Sequence, residues 1–415
     1  MRAARPVGPG FSPLDEELGL VPGQLTPRVN EHLVRLGTWI SSFARAAELL
    51  TALVGVTASE ATVRRHTEAA GTVQVALQEQ AVERLKAGGE AEPQGPARLV
   101  VSADGAMVPL RHGEWGEVKT LALGEVASGE APPRAKTARL SYFSRLTAAE
   151  RFTWQALVET HRRGLATAGE VASVSDGAEW IQGLVDFHRP DAVRILDLPH
   201  VAEHLHAVGQ ALYGEATPQA RAWLEEQVAQ LKTEGPGPVL ARLREVAATV
   251  PAGAPHLAYL EKRAAQMDYP QFQAAGWPIG SGMVESANKL VVEDRLKGSG
   301  MHWERSHVDP MLALRNVVAN DRWDEAWPQI EAAVRAEAWE ARRTRQQDTA
   351  EARPDPPQVE GAVSRRVAPT PSPPPPAPGA ARPATPRPAA DHPWRHSPVG
   401  KARYQPWRPY DPPKS

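Results

Sequence analysis

The 415-residue chain contains no cysteine. That excludes disulfides, thiolate zinc sites and a cysteine nucleophile, and it leaves the redox compartment without a mark. No run of about 18 apolar residues occurs, so the sequence offers no membrane-spanning helix. The opening stretch, MRAARPVGPGFSPLDEELG, has two arginines but no apolar segment behind them. It does not read as a secretory signal, and a cytoplasmic protein is expected. A strong excess of either charge is missing too, the net being −2. Proline is abundant but unevenly placed: nineteen of the forty fall in residues 351–415. Such a segment cannot bury enough apolar surface to offset its ordering entropy, which predicts a disordered tail. The tail holds ten Lys/Arg against five Asp/Glu; the first 350 residues hold 37 against 44, a net of −7. Any contact with nucleic acid from that larger part must come from local basic patches, since its overall field repels phosphate.

Length alone suggests two or three units. Residues 30–54 carry apolar side chains at three- and four-residue spacing (Leu33, Leu36, Ile40, Phe43, Ala47, Leu50, Leu53), the period of one helix stopped by Gly55. A short second helix is expected in TASEATVRRHTEAAG, capped by Thr57 or Ser59 and terminated by Gly71, with a third at 73–87. The first two resemble a helix-turn-helix whose second helix presents Arg64, Arg65 and His66. A helical bundle with a solvated basic face explains the same pattern. Residues 88–96 read as a Gly/Pro-rich linker.

From residue 97 the period changes. ARLVVSADG is a β-branched run, and MVPLRHGEWGEVKTLALGEV reads as a hairpin turning near His112 and Gly113. A third strand follows at 138–144, a helix at 147–163, a fourth strand in EVASVSD, a helix from about 178, a fifth strand in AVRILD and a helix through HVAEHLHAVGQALYG. Three antiparallel strands followed by alternating helix and strand give a mixed sheet flanked by helices. That order matches the ribonuclease H-like topology. Residues 215–270 are helical in pattern and interrupt it, and a last helix begins near Met283.

Strand ends present side chains to a common cleft. Three acids stand at such ends, Asp104 in VVSADGA, Asp176 in VSDGAEW and Asp197 in ILDLPH, and Glu285 opens the helix after PIGSG. One Asp-Gly after a strand is an ordinary turn; the signal lies in the set. Converging carboxylates suit Mg²⁺ or Mn²⁺, and two such ions can clamp the attacking and leaving oxygens of a phosphoryl displacement.

The strings VSADGAMVPLRHGEWGEVK, VSDGAEWI, ILDLPHVAEHL and PIGSGMVESANKLVVEDRLKGSGMHW together resemble DDE transposases of the ISKra-four insertion-sequence family, related to the Mutator-like superfamily. PLDEELGL and VTASEATVRRHTEAAG resemble that family's N-terminal region, so the likeness covers roughly residues 12–325. It implies a metal-binding catalytic triad of Asp104, Asp176 and Glu285. Asp197 and His200 would form the superfamily's Asp-x-x-His signature, with His200 bonding Asp197 or a DNA phosphate. Asp197 remains the competitor to Asp176, because both end short strands. Further along the Glu285 helix, Arg295 and Lys297 are candidate phosphate contacts, the alternative being solvated helix charge. Trp303 could stack on an unpaired base or simply pack.

The expected organisation is a helical N-terminal region at 1–95, a first part of the catalytic core at 96–213, a helical insertion at 214–275, C-terminal core helices at 276–340 and the tail at 341–415. The expected partners are insertion-sequence ends and target DNA, bound by a homo-oligomer in the nucleoid rather than at a membrane. The expected activity is Mg²⁺-dependent strand cleavage and transfer. The alternative is a transposase-derived DNA-binding protein that no longer mobilises DNA.

Overall fold

Thr26 begins the first helix by accepting the Val29 amide, with Pro27 in the first turn, where its missing N–H costs nothing. This helix, α1, spans Pro27–Trp39. The periodicity that promised one helix to residue 54 is broken at Ile40, which is extended, and Ser42 caps a second helix, α2, at Phe43–Val54. The apolar period continues across the break, which is why the sequence hid it. Ser59 then caps α3, Glu60–Lys86, by accepting the Thr62 amide.

Gly71 does not terminate that helix. An ideal Cβ on Gly71 would lie 2.3 Å from the carbonyl oxygen of Pro310, so the glycine is where α3 crosses another helix at close quarters. The short recognition-type helix of a helix-turn-helix is therefore replaced by one 27-residue helix.

The sheet begins with β1 (Arg98–Pro109) and β2 (Trp115–Val126), an antiparallel hairpin turning at His112 and Gly113, both left-handed. Next come β3 (Thr137–Arg145), α4 (Ala149–Gln155), α5 (Leu157–Arg162), β4 (Glu170–Ser175), α6 (Glu179–His188), β5 (Val193–Leu196) and α7 (Leu198–Tyr213). The computed structural model describes residues 25–88, 90–126, 137–298 and 300–351 of the chain. The five strands form one mixed sheet in the order β3-β2-β1-β4-β5, with β1, β4 and β5 mutually parallel. The architecture is α/β.

Alternation along the strands sorts the core into two layers. Val100, Ala106, Val108, Ala122 and Val174 face the N-terminal helices and the later helices. Leu99, Val101, Ala103, Leu121 and Val171 face Phe152 of α4 and Ile181, Leu184 and Val185 of α6.

The expected insertion is α8 (Pro218–Glu234), α9 (Pro236–Thr249), α10 (Ala254–Lys262) and α11 (Tyr269–Ala274). The chain returns to the sheet through α12 (Gly282–Ala287), a π-helical turn (Asn288–Glu293) and α13 (Asp294–Leu296). It ends in α14 (Arg305–Ala319) and α15 (Trp323–Glu351). Helix therefore continues to Glu351, about ten residues beyond the expected start of the tail. Residues 352–415 and the PLDEELGL string lie outside the described residues. All described residues fall in one unit, Met1–Arg353, so the N-terminal helices are part of the body that holds the sheet.

Side chains from the α14 region fasten the outer edge of β3. Asn320 accepts the Tyr142 amide at 2.7 Å and donates to the Tyr142 carbonyl at 2.9 Å, and Asp309 accepts the Leu146 amide at 2.7 Å. No described helix is long and apolar enough to cross a membrane.

Candidate active site

The parallel registers place three acids in one row. Arg98 of β1 pairs with Glu170 of β4, 72 residues on; the pairing runs as far as Val101 and Ser173, and the same step continued for three residues leads from Asp104 to Asp176. Ala172 of β4 pairs with Val193 of β5, 21 residues on, and that step carries Asp176 to Asp197. Asp176 and Asp197 stand one residue past their strands, with the Asp197 amide donating to the Ser175 carbonyl at 2.8 Å. Neighbours in register on parallel strands project to the same side of a sheet. Glu285 arrives from α12, and all four acids line one cleft of about 200 Å³ with Pro199, His200, Glu203 and Ser281.

Each carboxylate is held differently. Asp104, partly buried, accepts the Gly105 amide at 2.7 Å and the Asn288 side-chain amide at 2.8 Å. Burial raises its pKa above the usual carboxylate range, the Gly105 amide lowers it, and the nearby charges of Asp176 and Glu285 raise it further. Asp176 accepts the Ala178 amide at 2.9 Å, closing a tight turn through Gly177. Asp197 is only 6% exposed and accepts the Ser281 amide at 2.8 Å, which ties the end of β5 to the start of α12. Burial raises its pKa as well, against the pull of the Ser281 and His200 amides. Asp176 and Glu285 both raise the pKa of Asp104, and Glu285 raises that of Asp197.

The cations nearby are engaged elsewhere. Lys262 pairs with Glu179, Lys297 with Glu293, and Arg263 bonds the Gly177 carbonyl. Among the described residues none of the four acids joins an ion pair. A set of uncompensated carboxylate oxygens in one cleft has the donor chemistry of a hard divalent cation. As the side chains stand, no three His, Asp or Glu among the described residues are grouped closely enough to hold one ion.

His200 lines the cleft, but its ring lies 3.3 Å from Glu203 rather than on Asp197, because α7 places them at i and i+3; its backbone amide is what serves Asp197. Arg64 and Arg65 are exposed on α3. Lys297 is exposed and paired with Glu293 at 2.9 Å.

Two expected DNA contacts are corrected. Arg295 is 1% exposed: its Nε and Nη1 donate to the Gly37 and Ser41 carbonyls at 3.3 and 3.0 Å, and its guanidinium lies over the rings of Phe43 and Trp303. It spans the α1–α2 break and meets no solvent. Trp303 is 8% exposed and packs edge-on against Phe43, so it is a core residue.

The sequence reading missed Asn288, Ser281, Tyr259 and Arg263. Asn288 was within reach, since it follows Glu285 by three residues and so shares its helix face. A scan against protein-family models finds no match, and a search of the curated proteins finds none. The reading of this cleft therefore rests on its own chemistry.

Proposed function

We propose that the chain is a DDE-type transposase, a metal-dependent enzyme that cleaves DNA at insertion-sequence ends and joins them to target DNA. The observation that carries this reading is the gathering of Asp104, Asp176, Asp197 and Glu285 in one cleft, with no cation among the described residues paired to them. The strand order β3-β2-β1-β4-β5, with a helical insertion before the glutamate, supports a ribonuclease H-like core for it.

The reaction is displacement at phosphorus. Water, and later a freed 3′-hydroxyl, forms the new P–O bond as the bridging P–O bond breaks, and the leaving oxygen takes up a proton. Asp104, Asp176 and Glu285 would hold Mg²⁺ or Mn²⁺, whose chemistry there is neutralisation of phosphate charge and activation of the attacking oxygen. Asn288 and the Gly105 amide orient Asp104. Asp197 holds the approach to α12 and so the placement of Glu285. Joining two ends to one target calls for at least two such sites, hence a homo-oligomer on DNA.

The test is incubation of the full chain with element-end DNA and Mg²⁺. Cleavage and joining should vanish in Asp104→Ala. Persistence of both in that variant, in protein free of other nucleases, sinks the reading, and DNA binding with no metal-dependent cutting favours a transposase-derived binding protein.

A further inference from the structure

Asp176 lies past the last residue of β4, so the carbonyls of Asp176 and Gly177 have left the sheet ladder and need partners elsewhere. Both partners come from the insertion. The Tyr259 hydroxyl donates to the Asp176 carbonyl, and Arg263 donates to the Gly177 carbonyl through Nε at 3.2 Å and Nη2 at 2.8 Å. Arg263 is 9% exposed, its guanidinium lies 3.8 Å from the centre of the Tyr259 ring, and its Nη1 donates to the Tyr259 carbonyl at 3.2 Å. The two side chains form one stacked, bonded unit.

The turn is shaped to receive that unit. Gly177 sits at φ 77°, and a Cβ there would come within 2.6 Å of Arg263 Nε. Tyr259 in turn stacks on His204 of α7, ring centres 4.2 Å apart, and His204 meets His256 of α10 across 2.9 Å between their Nδ1 atoms. The insertion is thus anchored to the helix that follows β5, and from that anchor it grips the turn bearing the second acid. A guanidinium spent on neutral carbonyls, rather than on a carboxylate, leaves the acids of the cleft free.

We infer that Tyr259 and Arg263 are positioning residues, through which the helical insertion sets the aim of Asp176. This rests on the reading of Asp176 as a metal ligand. It gives the insertion a task at the reacting centre in addition to any surface it offers DNA.

The experiment uses the full chain and the variants Tyr259→Phe, Arg263→Lys and Arg263→Ala. Hydrogen–deuterium exchange is read in peptides covering 173–179, and DNA cleavage is titrated with Mg²⁺. In Arg263→Lys the two-pronged bond to Gly177 is lost, so amides of the turn should exchange about tenfold faster while the rest of the chain is unchanged. The Mg²⁺ concentration for half-maximal cleavage should rise about tenfold, with a smaller effect on the rate at saturating Mg²⁺. Tyr259→Phe, which removes one hydroxyl, should show the same pattern more weakly and carries the test if Arg263→Ala does not fold. Unchanged exchange in the turn, or equal acceleration over the whole chain, overturns the inference. If the unsubstituted chain neither binds Mg²⁺ nor cuts DNA, the enzymatic reading falls, and the exchange data still decide whether the insertion holds the turn.

Discussion

Asn288 donates its side-chain amide to Asp104 across 2.8 Å, from a π-helical turn that starts three residues after Glu285. One helix therefore delivers a carboxylate and also the group that orients another. The Leu290 carbonyl within this turn is satisfied by Arg315 of α14. Asn288→Ala should lower the cleavage rate about tenfold to a hundredfold, the worth of a hydrogen bond to a charged group, while folding free energy falls by about 1 kcal/mol. Single-turnover kinetics and urea unfolding on the same preparation separate the two effects.

Asp104 gives a pH signature. Its folded pKa is raised, first by burial and then by Asp176 and Glu285. A raised carboxylate favours the folded state while protonated, and that contribution is lost as pH climbs through the folded pKa. At neutral pH without divalent metal, Asp104→Asn should therefore be the more stable protein, by about 1 kcal/mol. The gap should close as pH falls toward 4. Urea titrations at several pH values check this, and a gap that widens on acidification refutes it.

Asp176 and Asp197 should separate under substitution. Asp176→Asn keeps the turn's acceptor and should abolish cleavage with little change in Tm. Asp197→Ala leaves the buried Ser281 amide without its partner and should cost about 1–3 kcal/mol of stability. If Asp197→Ala folds as well as the unsubstituted chain while Asp176→Asn still cuts DNA, their roles are exchanged.

The basic residues divide by burial. Arg295→Ala should destabilise by about 2–4 kcal/mol, since it strands the carbonyl of buried Gly37, loses the bond to Ser41 and leaves a void between Phe43 and Trp303. It should leave the salt dependence of DNA binding unchanged. Arg64→Ala with Arg65→Ala should do the reverse, reducing the slope of log affinity against log salt by about 1–2 with stability altered by less than about 0.5 kcal/mol. Binding isotherms at four salt concentrations discriminate.

Much of the sheet was legible because its signals are local: β-branched runs, a hairpin turn at His112 and Gly113, and the acids that follow β4 and β5. Asp104 is the exception: it reads as a strand end but lies inside β1, paired with Thr120, because the hairpin continues the strand to Pro109. The spacings 72 and 21 between the acids even equal the register steps of the parallel strands. What escaped was long-range. Gly71 reads as a stop until Pro310, more than 200 residues away, is seen to need its missing Cβ. Arg295 reads as a phosphate contact or as solvated charge until the break at Ile40 supplies two carbonyls for it. Tyr259 and Arg263 sit in an ordinary amphipathic helical pattern, and nothing local says that they end on the turn after Asp176.

The fastening of β3 bears on how copies of this chain can meet. An open strand edge invites another chain to add itself as a further strand, the route to sheet extension and to fibrillar aggregation. Here Asn320 and Asp309 already occupy the hydrogen-bonding positions at Tyr142 and Leu146. Crowded copies of the chain would therefore not zip their sheets together at this edge.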